Sequence, residues 1–177
     1  APDVAANGTQ GFLVAWEREG TATSIYARRS TATGVDGNAF AVTDAIVARV
    51  APRLTYNADD DQYLAAWQEL SAGYDTVWGR RVRGQYDPSG QFVDDAFQVS
   101  DADQADCGAP AVTYLTPSGE DNGRYLVAWE QGAGAVDLYA RWVLTDGTPS
   151  DSFTLSDVGD RHYDVALAFG PSMTTVL

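Results

Sequence analysis

Carboxylates are the most abundant reactive groups in this chain, and their spacing decides what they could do. Asp101, Asp103 and Asp106 lie in the run Asp101-Ala102-Asp103-Gln104-Ala105-Asp106. A loop there could turn all three toward one hard cation such as Ca²⁺, which takes oxygen ligands. Asp59-Asp60-Asp61 is the other acidic cluster. Three consecutive side chains cannot all point at one ion, and the spaced Asp-x-Asp-x-Asp-Gly loop is absent, so a solvated turn is expected. Tyr74 with Asp75, and Trp142, are aromatics of less regular placement that are free to line a ligand site, as Tyr86 is. His162 is the only histidine and stands beside Asp160, Arg161 and Asp164. A general acid or base could sit there, but hydrolytic triads need a positioned nucleophile with its base. No Gly-x-Ser-x-Gly, His-Glu-x-x-His or Gly-rich phosphate loop occurs. The reading assigns no catalytic residue, takes Tyr74, Asp75 and Trp142 as ligand-binding candidates, and takes Asp101, Asp103 and Asp106 as a calcium candidate with no other cofactor.

The elements that must position these groups repeat three times. Phe12-Leu13-Val14-Ala15-Trp16-Glu17 returns as Tyr63-Leu64-Ala65-Ala66-Trp67-Gln68 and as Tyr125-Leu126-Val127-Ala128-Trp129-Glu130. Each copy follows an opener containing Pro2, Pro52 or Pro110. Each precedes an apolar-aromatic-small-Arg run ending at Arg28, Arg80 or Arg141. Each unit closes on Phe40-Ala41-Val42-Thr43-Asp44, Phe97-Gln98-Val99-Ser100-Asp101 or Phe153-Thr154-Leu155-Ser156-Asp157. Four landmarks in a fixed order define a repeat protein. A residue present in every unit suits a structural role better than a place in an asymmetric active site. Trp16, Trp67 and Trp129 are therefore expected in the packing between units, and Arg28, Arg80 and Arg141 on backbone carbonyls or acids.

The four runs of each unit are rich in Val, Leu, Tyr, Trp, Phe and Thr and are bounded by Gly, Asn, Asp, Ser and Pro, which reads as four short strands. No sustained 3.6-residue apolar period occurs, so almost no helix is expected. Four antiparallel strands per unit, with unit spacings of 50 and 58 residues between the openers, predict an all-β β-propeller with three complete blades and the inner half of a fourth. A single domain over residues 1–177 is expected, with blades at about 1–50, 51–108 and 109–163 and an incomplete one at 164–177. The unit resembles the blades of secreted bacterial β-propeller repeat proteins, without the Trp-Asp ending of WD repeats or the Asp-box of sialidases. That resemblance implies an architecture and a secreted location but no particular activity. Closure then calls for missing blades on a longer chain, or for a partner that completes the ring.

Charge narrows the function. Asp and Glu number 25 against 11 basic residues, all of them Arg, for a net charge of −14. Nucleic acid and anionic membranes both demand a basic surface and are disfavoured. No run approaches the length of a membrane span. One cysteine, Cys107, permits no intrachain disulfide. The leading expectation is a non-catalytic extracellular, cell-surface or periplasmic propeller module for protein interaction or structural assembly. The alternatives are a glycan-binding, lectin-like propeller that takes polysaccharide, and part of a glycan-active enzyme using carboxylates such as Asp3 and Asp164.

Overall fold

The computed structural model describes residues 1–8, 11–88, 90–101, 105–116, 123–132, 136–156 and 165–167. Among these residues, twelve strands form three four-stranded antiparallel sheets, each a simple meander. The first holds β1 (Asp3–Ala6), β2 (Gly11–Arg18), β3 (Ser24–Thr31) and β4 (Gly34–Ala41). The second holds β5 (Ala48–Asn57), β6 (Gln62–Leu70), β7 (Thr76–Arg83) and β8 (Phe97–Gln98). The third holds β9 (Ala111–Leu115), β10 (Arg124–Gln131), β11 (Asp137–Leu144) and β12 (Pro149–Ser156).

Strand periodicity explains how the sheets meet. In β6 alternate side chains face opposite ways. Tyr63, Ala65 and Trp67 pack with Leu13, Ala15, Ile25, Ala27 and Val42 of the first sheet. Leu64, one residue out of phase, packs with Tyr125, Val127, Trp129 and Val143 of the third. The second sheet is thus covered on both faces, and β6 is buried from Gln62 to Trp67. Among the described residues, the first and third sheets are each covered by a neighbouring sheet on one face only. Trp67 and Trp129 are fully buried, whereas Trp16, on the face of the first sheet turned away from the second, is half-buried.

Two backbone details fix these elements. In β5 the register against β6 shifts between Val50 and Arg53, and Ala51 takes a left-handed φ of 52°. Pro52 has no N–H to give a ladder, and a bulge is where a strand tolerates that. The Ala51 N–H is satisfied by the Glu17 carboxylate of the first sheet at 2.9 Å. In β2, a Cβ on Gly11 would stand 2.2 Å from the Ser30 carbonyl oxygen, so only glycine allows β2 and β3 to approach there.

All-β content and four-stranded antiparallel units agree with the sequence pattern. The β-propeller does not, and with it goes the resemblance to secreted propeller repeat proteins. The three sheets are separate, and none is closed or curled into a propeller-like arrangement. They meet face to face, and the first and third share no core cluster. The physical reason is that repeated landmarks report strand order and pairing within a unit, while the angle between successive sheets depends on side-chain packing that recurrence does not encode. Of the expected fourth unit only Val165–Leu167 is described, and no strand occurs there. Asp164, Thr174–Leu177, His162 and Asp103 lie outside the described residues.

Candidate functional site

The repeated polar residues tie the sheets together. Arg80 of β7 donates to the Val42 carbonyl of the first sheet at 3.0 Å, and Arg141 of β11 donates to the equivalent Val99 carbonyl of the second. Arg28, on the face of the first sheet turned away from the second, donates within its own sheet to the Gly37 carbonyl at 3.1 Å. The acid or amide after each Trp does related work. Glu17 accepts from the Ala51 N–H, and Gln68 donates to the Cys107 carbonyl at 2.8 Å. Both contacts fall just ahead of the first strand's core in the following unit. Burial opposes the charge on Glu17, but the Ala51 N–H and the N-terminal ammonium outweigh it and hold the carboxyl below its ordinary range.

A further arginine position escaped the sequence reading. Arg29 and Arg81, each following a repeated Arg, cross to the next sheet: Arg29 donates to Gln91 and to the Arg83 carbonyl, and Arg81 to the Thr145 carbonyl at 2.6 Å. The doublets Arg28-Arg29 and Arg80-Arg81 were the available signal, and the third unit breaks it with Arg141-Trp142.

The ligand candidates divide. Tyr74 and Asp75 lie between β6 and β7, where the exposed Tyr74 ring stands next to a fixed carboxylate. Asp75 accepts from Gln68 at 3.2 Å and from the Ser71 N–H at 3.2 Å, while its own N–H donates to Asp106 at 3.0 Å. The fold therefore brings Tyr74, Asp75 and Asp106 onto one edge. Trp142 is elsewhere, on the face of β11 turned away from the second sheet. It lies beside Phe153 with ring centroids 6.4 Å apart and the Arg124 guanidinium 5.2 Å from its ring.

Of the calcium candidates, Asp101 is already engaged. Its two oxygens take Arg141 and the Ser152 hydroxyl, the latter at 2.7 Å. Burial raises its pKa, yet these two partners prevail and bring the carboxyl below the ordinary range. Asp106 points to Asp75. Among the described residues no group of three or more His, Cys, Asp or Glu could hold a metal ion; Asp103 is not among them.

Asp59-Asp60-Asp61 is a hydrogen-bonded turn whose carboxylates diverge. Asn57 accepts the N–H groups of Asp59 and Asp60, and its amide donates to Asp60 at 2.9 Å. Tyr114 and Thr116 donate to Asp59, and Tyr56 to Asp61 at 2.8 Å. Burial, aided by Asp61, pushes the Tyr56 hydroxyl up to about 12. A cleft of about 470 Å³ beside this turn is lined by Asp60, Asp61, Arg83, Tyr86 and Asp87.

A second cleft, about 370 Å³, lies where β1, β5 and β9 adjoin Val165–Leu167, with Asp3 and Arg53 on its wall. Asp3 accepts the Leu54 N–H at 2.7 Å, so the enzyme candidate is a bond between the first and second sheets. Ala111 occupies the matching position of the third sheet.

No family model matches the chain, and neither the curated proteins nor the solved structures contain a match. The functional reading therefore rests on the residues alone. A propeller module, a lectin-like propeller and completion of a ring by a partner or missing blades all presuppose curled, closing sheets. The three separate sheets remove that basis. No helix among the described residues is long and apolar enough to cross a membrane.

Proposed function

We propose that this chain is a non-catalytic all-β module that acts through the outer surfaces of its packed sheets. One observation carries the reading: at both joints between the described sheets the recurring arginine is committed to the preceding sheet, Arg80 on Val42 and Arg141 on Val99. Asp3 and Asp101, the acids best placed for chemistry, are spent in the same way. We infer an extracytoplasmic location as part of this reading. It is supported by the acidic net charge of −14 and by a fold whose single buried cysteine depends on neither an oxidising nor a reducing compartment.

A panel of ester, glycoside and phosphoester substrates, assayed with purified protein and with Asp3→Asn and Asp101→Asn variants, tests the reading. No turnover and lowered thermal stability in the variants are expected. Turnover that vanishes in a variant of unchanged thermal stability would overturn it. Fractionation of the source cells tests location, with the protein expected outside the cytoplasmic fraction.

A further inference from the structure

The two joints between the sheets use the same repeated positions but are not closed alike. Between the second and third sheets, the Arg141 guanidinium donates to the Val99 carbonyl and to the Asp101 carboxylate. The Trp129 indole N–H goes to Gln131 at 3.0 Å. Between the first and second sheets, Arg80, Asp44, Trp67 and Glu69 hold the matching positions, and the bonds are redistributed. Asp44 pairs with Arg49 and not with the repeated arginine. Glu69 also turns to Arg49, accepting from its Nε at 2.8 Å.

Two donors lose their acceptor as a result. The Trp67 N–H is buried and has no hydrogen-bond partner among the described residues. Arg80 keeps its bonds to the Val42 and Asp94 carbonyls, but the carboxylate it pairs with, Asp95, is 3.9 Å away and fully exposed. Burial pulls the Arg80 pKa down, and the charges of Asp95 and Asp94 do not restore it.

Both residues stand on the wall of one cavity. It measures about 170 Å³, and its lining includes Val42, Asp44, Trp67, Glu69, Trp78 and Arg80. Strand geometry sets the large side chains together. Trp67 and Trp78 are register partners, and Arg80 follows Trp78 by two residues, on the same face. The Trp78 N–H is given to Thr76 at 3.0 Å, so this ring offers the cavity only apolar surface. A void of about 150 Å³ holds a benzene-sized molecule, so there is room for a short carbon chain with a charged head.

We propose that this cavity binds a small organic carboxylate of propionate or butyrate size. Its oxygens accept from Arg80 and from the Trp67 N–H, and its carbons lie against the Trp67 and Trp78 rings. The ligand supplies to Arg80 what Asp101 supplies to Arg141. A guanidinium presents its N–H groups as a fork that fits the two oxygens of a carboxylate. A cation would meet two guanidiniums on the wall, since Arg49 lines the cavity as well. A neutral apolar molecule would leave the buried Trp67 N–H unpaired, which is costly. The proposal goes beyond the function proposed above and does not rest on it.

Proton–nitrogen NMR of the folded chain tests it, with the Trp67 indole signal identified by its absence in Trp67→Phe. Sodium propionate is titrated to about 50 mM against sodium chloride at constant ionic strength. It is expected to move the Trp67 signal saturably and to leave the Trp129 indole in place. Propionamide, similar in shape but uncharged, should move neither. Arg80→Gln, its fold checked by far-UV circular dichroism, should bind propionate at least about tenfold more weakly. Should that variant not fold, calorimetry on Trp67→Phe decides: it keeps an aromatic ring, loses the N–H, and should bind about fivefold more weakly or worse. A Trp67 signal that propionate does not move overturns the proposal and leaves the non-catalytic reading intact. A shift produced equally by chloride or propionamide, or by phosphate and not by propionate, overturns it as well. So does propionate binding undiminished in Arg80→Gln or Trp67→Phe.

Discussion

Replacing Trp67 with alanine removes a side chain packed between the first two sheets, and comparison with Trp16 isolates what the neighbouring sheet contributes. A buried Trp removes roughly 200 Å² from water, and about 25 cal/mol per Å² makes that near 5 kcal/mol before the alanine's own share is returned. Core deletions of this size cost about 3–5 kcal/mol. Trp16 occupies the same strand position, but its outer side faces no sheet and meets chiefly the Tyr26 ring, 6.5 Å away between centroids. Its loss should cost about 1–2 kcal/mol, since half the burial is missing.

Urea unfolding followed by circular dichroism reads both. With a slope near 2 kcal/mol per M, the midpoint should fall by about 2 M for Trp67→Ala and by less than about 1 M for Trp16→Ala. Phenylalanine at the same sites adds a control. The Trp129 indole N–H donates to Gln131 at 3.0 Å, whereas the buried Trp67 N–H has no hydrogen-bond partner among the described residues. Trp129→Phe should therefore cost about 1 kcal/mol more than Trp67→Phe. Equal midpoint shifts for Trp16→Ala and Trp67→Ala would refute the assignment of inner and outer faces.

Arg80→Met and Arg141→Met each strand a buried carbonyl, Val42 or Val99, and should lower stability by about 1–3 kcal/mol in thermal unfolding, with Arg28→Met costing clearly less. The Asp101 carboxyl is depressed in the folded state, so its stabilisation is complete at neutral pH and is lost as pH falls below about 4 through the folded value. Asp101→Asn should accordingly flatten the acid limb of a melting-temperature profile while lowering its neutral plateau. Burial pushes the Cys107 thiol up to about 11, so a thiol reagent at pH 8 should leave the native protein unlabelled and react once it is unfolded. Gly11→Ala should be destabilising, because the added carbon meets the backbone of β3 and not a side chain that can move away.

The strands were legible because each carries its own local signal. Phe12 to Trp16 and its two copies are apolar runs bounded by turn residues, and all three are strands. The burial of Trp67 and Trp129 followed from recurrence. The half-exposure of Trp16 did not, since equivalence between units is silent about which faces a neighbouring sheet covers. The propeller failed for a related reason: pairing within a unit is written along the chain, but the disposition of one sheet on the next is set by contacts such as Leu64 against Tyr125 and Arg81 against the Thr145 carbonyl. The meeting of Asp75 with Asp106 likewise spans 31 residues. It was invisible while Tyr74-Asp75 and Asp101–Asp106 were read as separate motifs.

Departures from the repeat tell more than the repeat itself. Where a position is polar in two units and changes in the third, the change follows what that position faces. Arg29 and Arg81 cross to a following sheet, and Trp142, on a face that no described sheet covers, lies against Phe153 under the Arg124 guanidinium. Where a position keeps its type but changes its exposure, as in Val42, Val99 and Leu155, the difference among the described residues is whether another sheet packs on it: Val42 and Val99 belong to the two core clusters and Leu155 to neither.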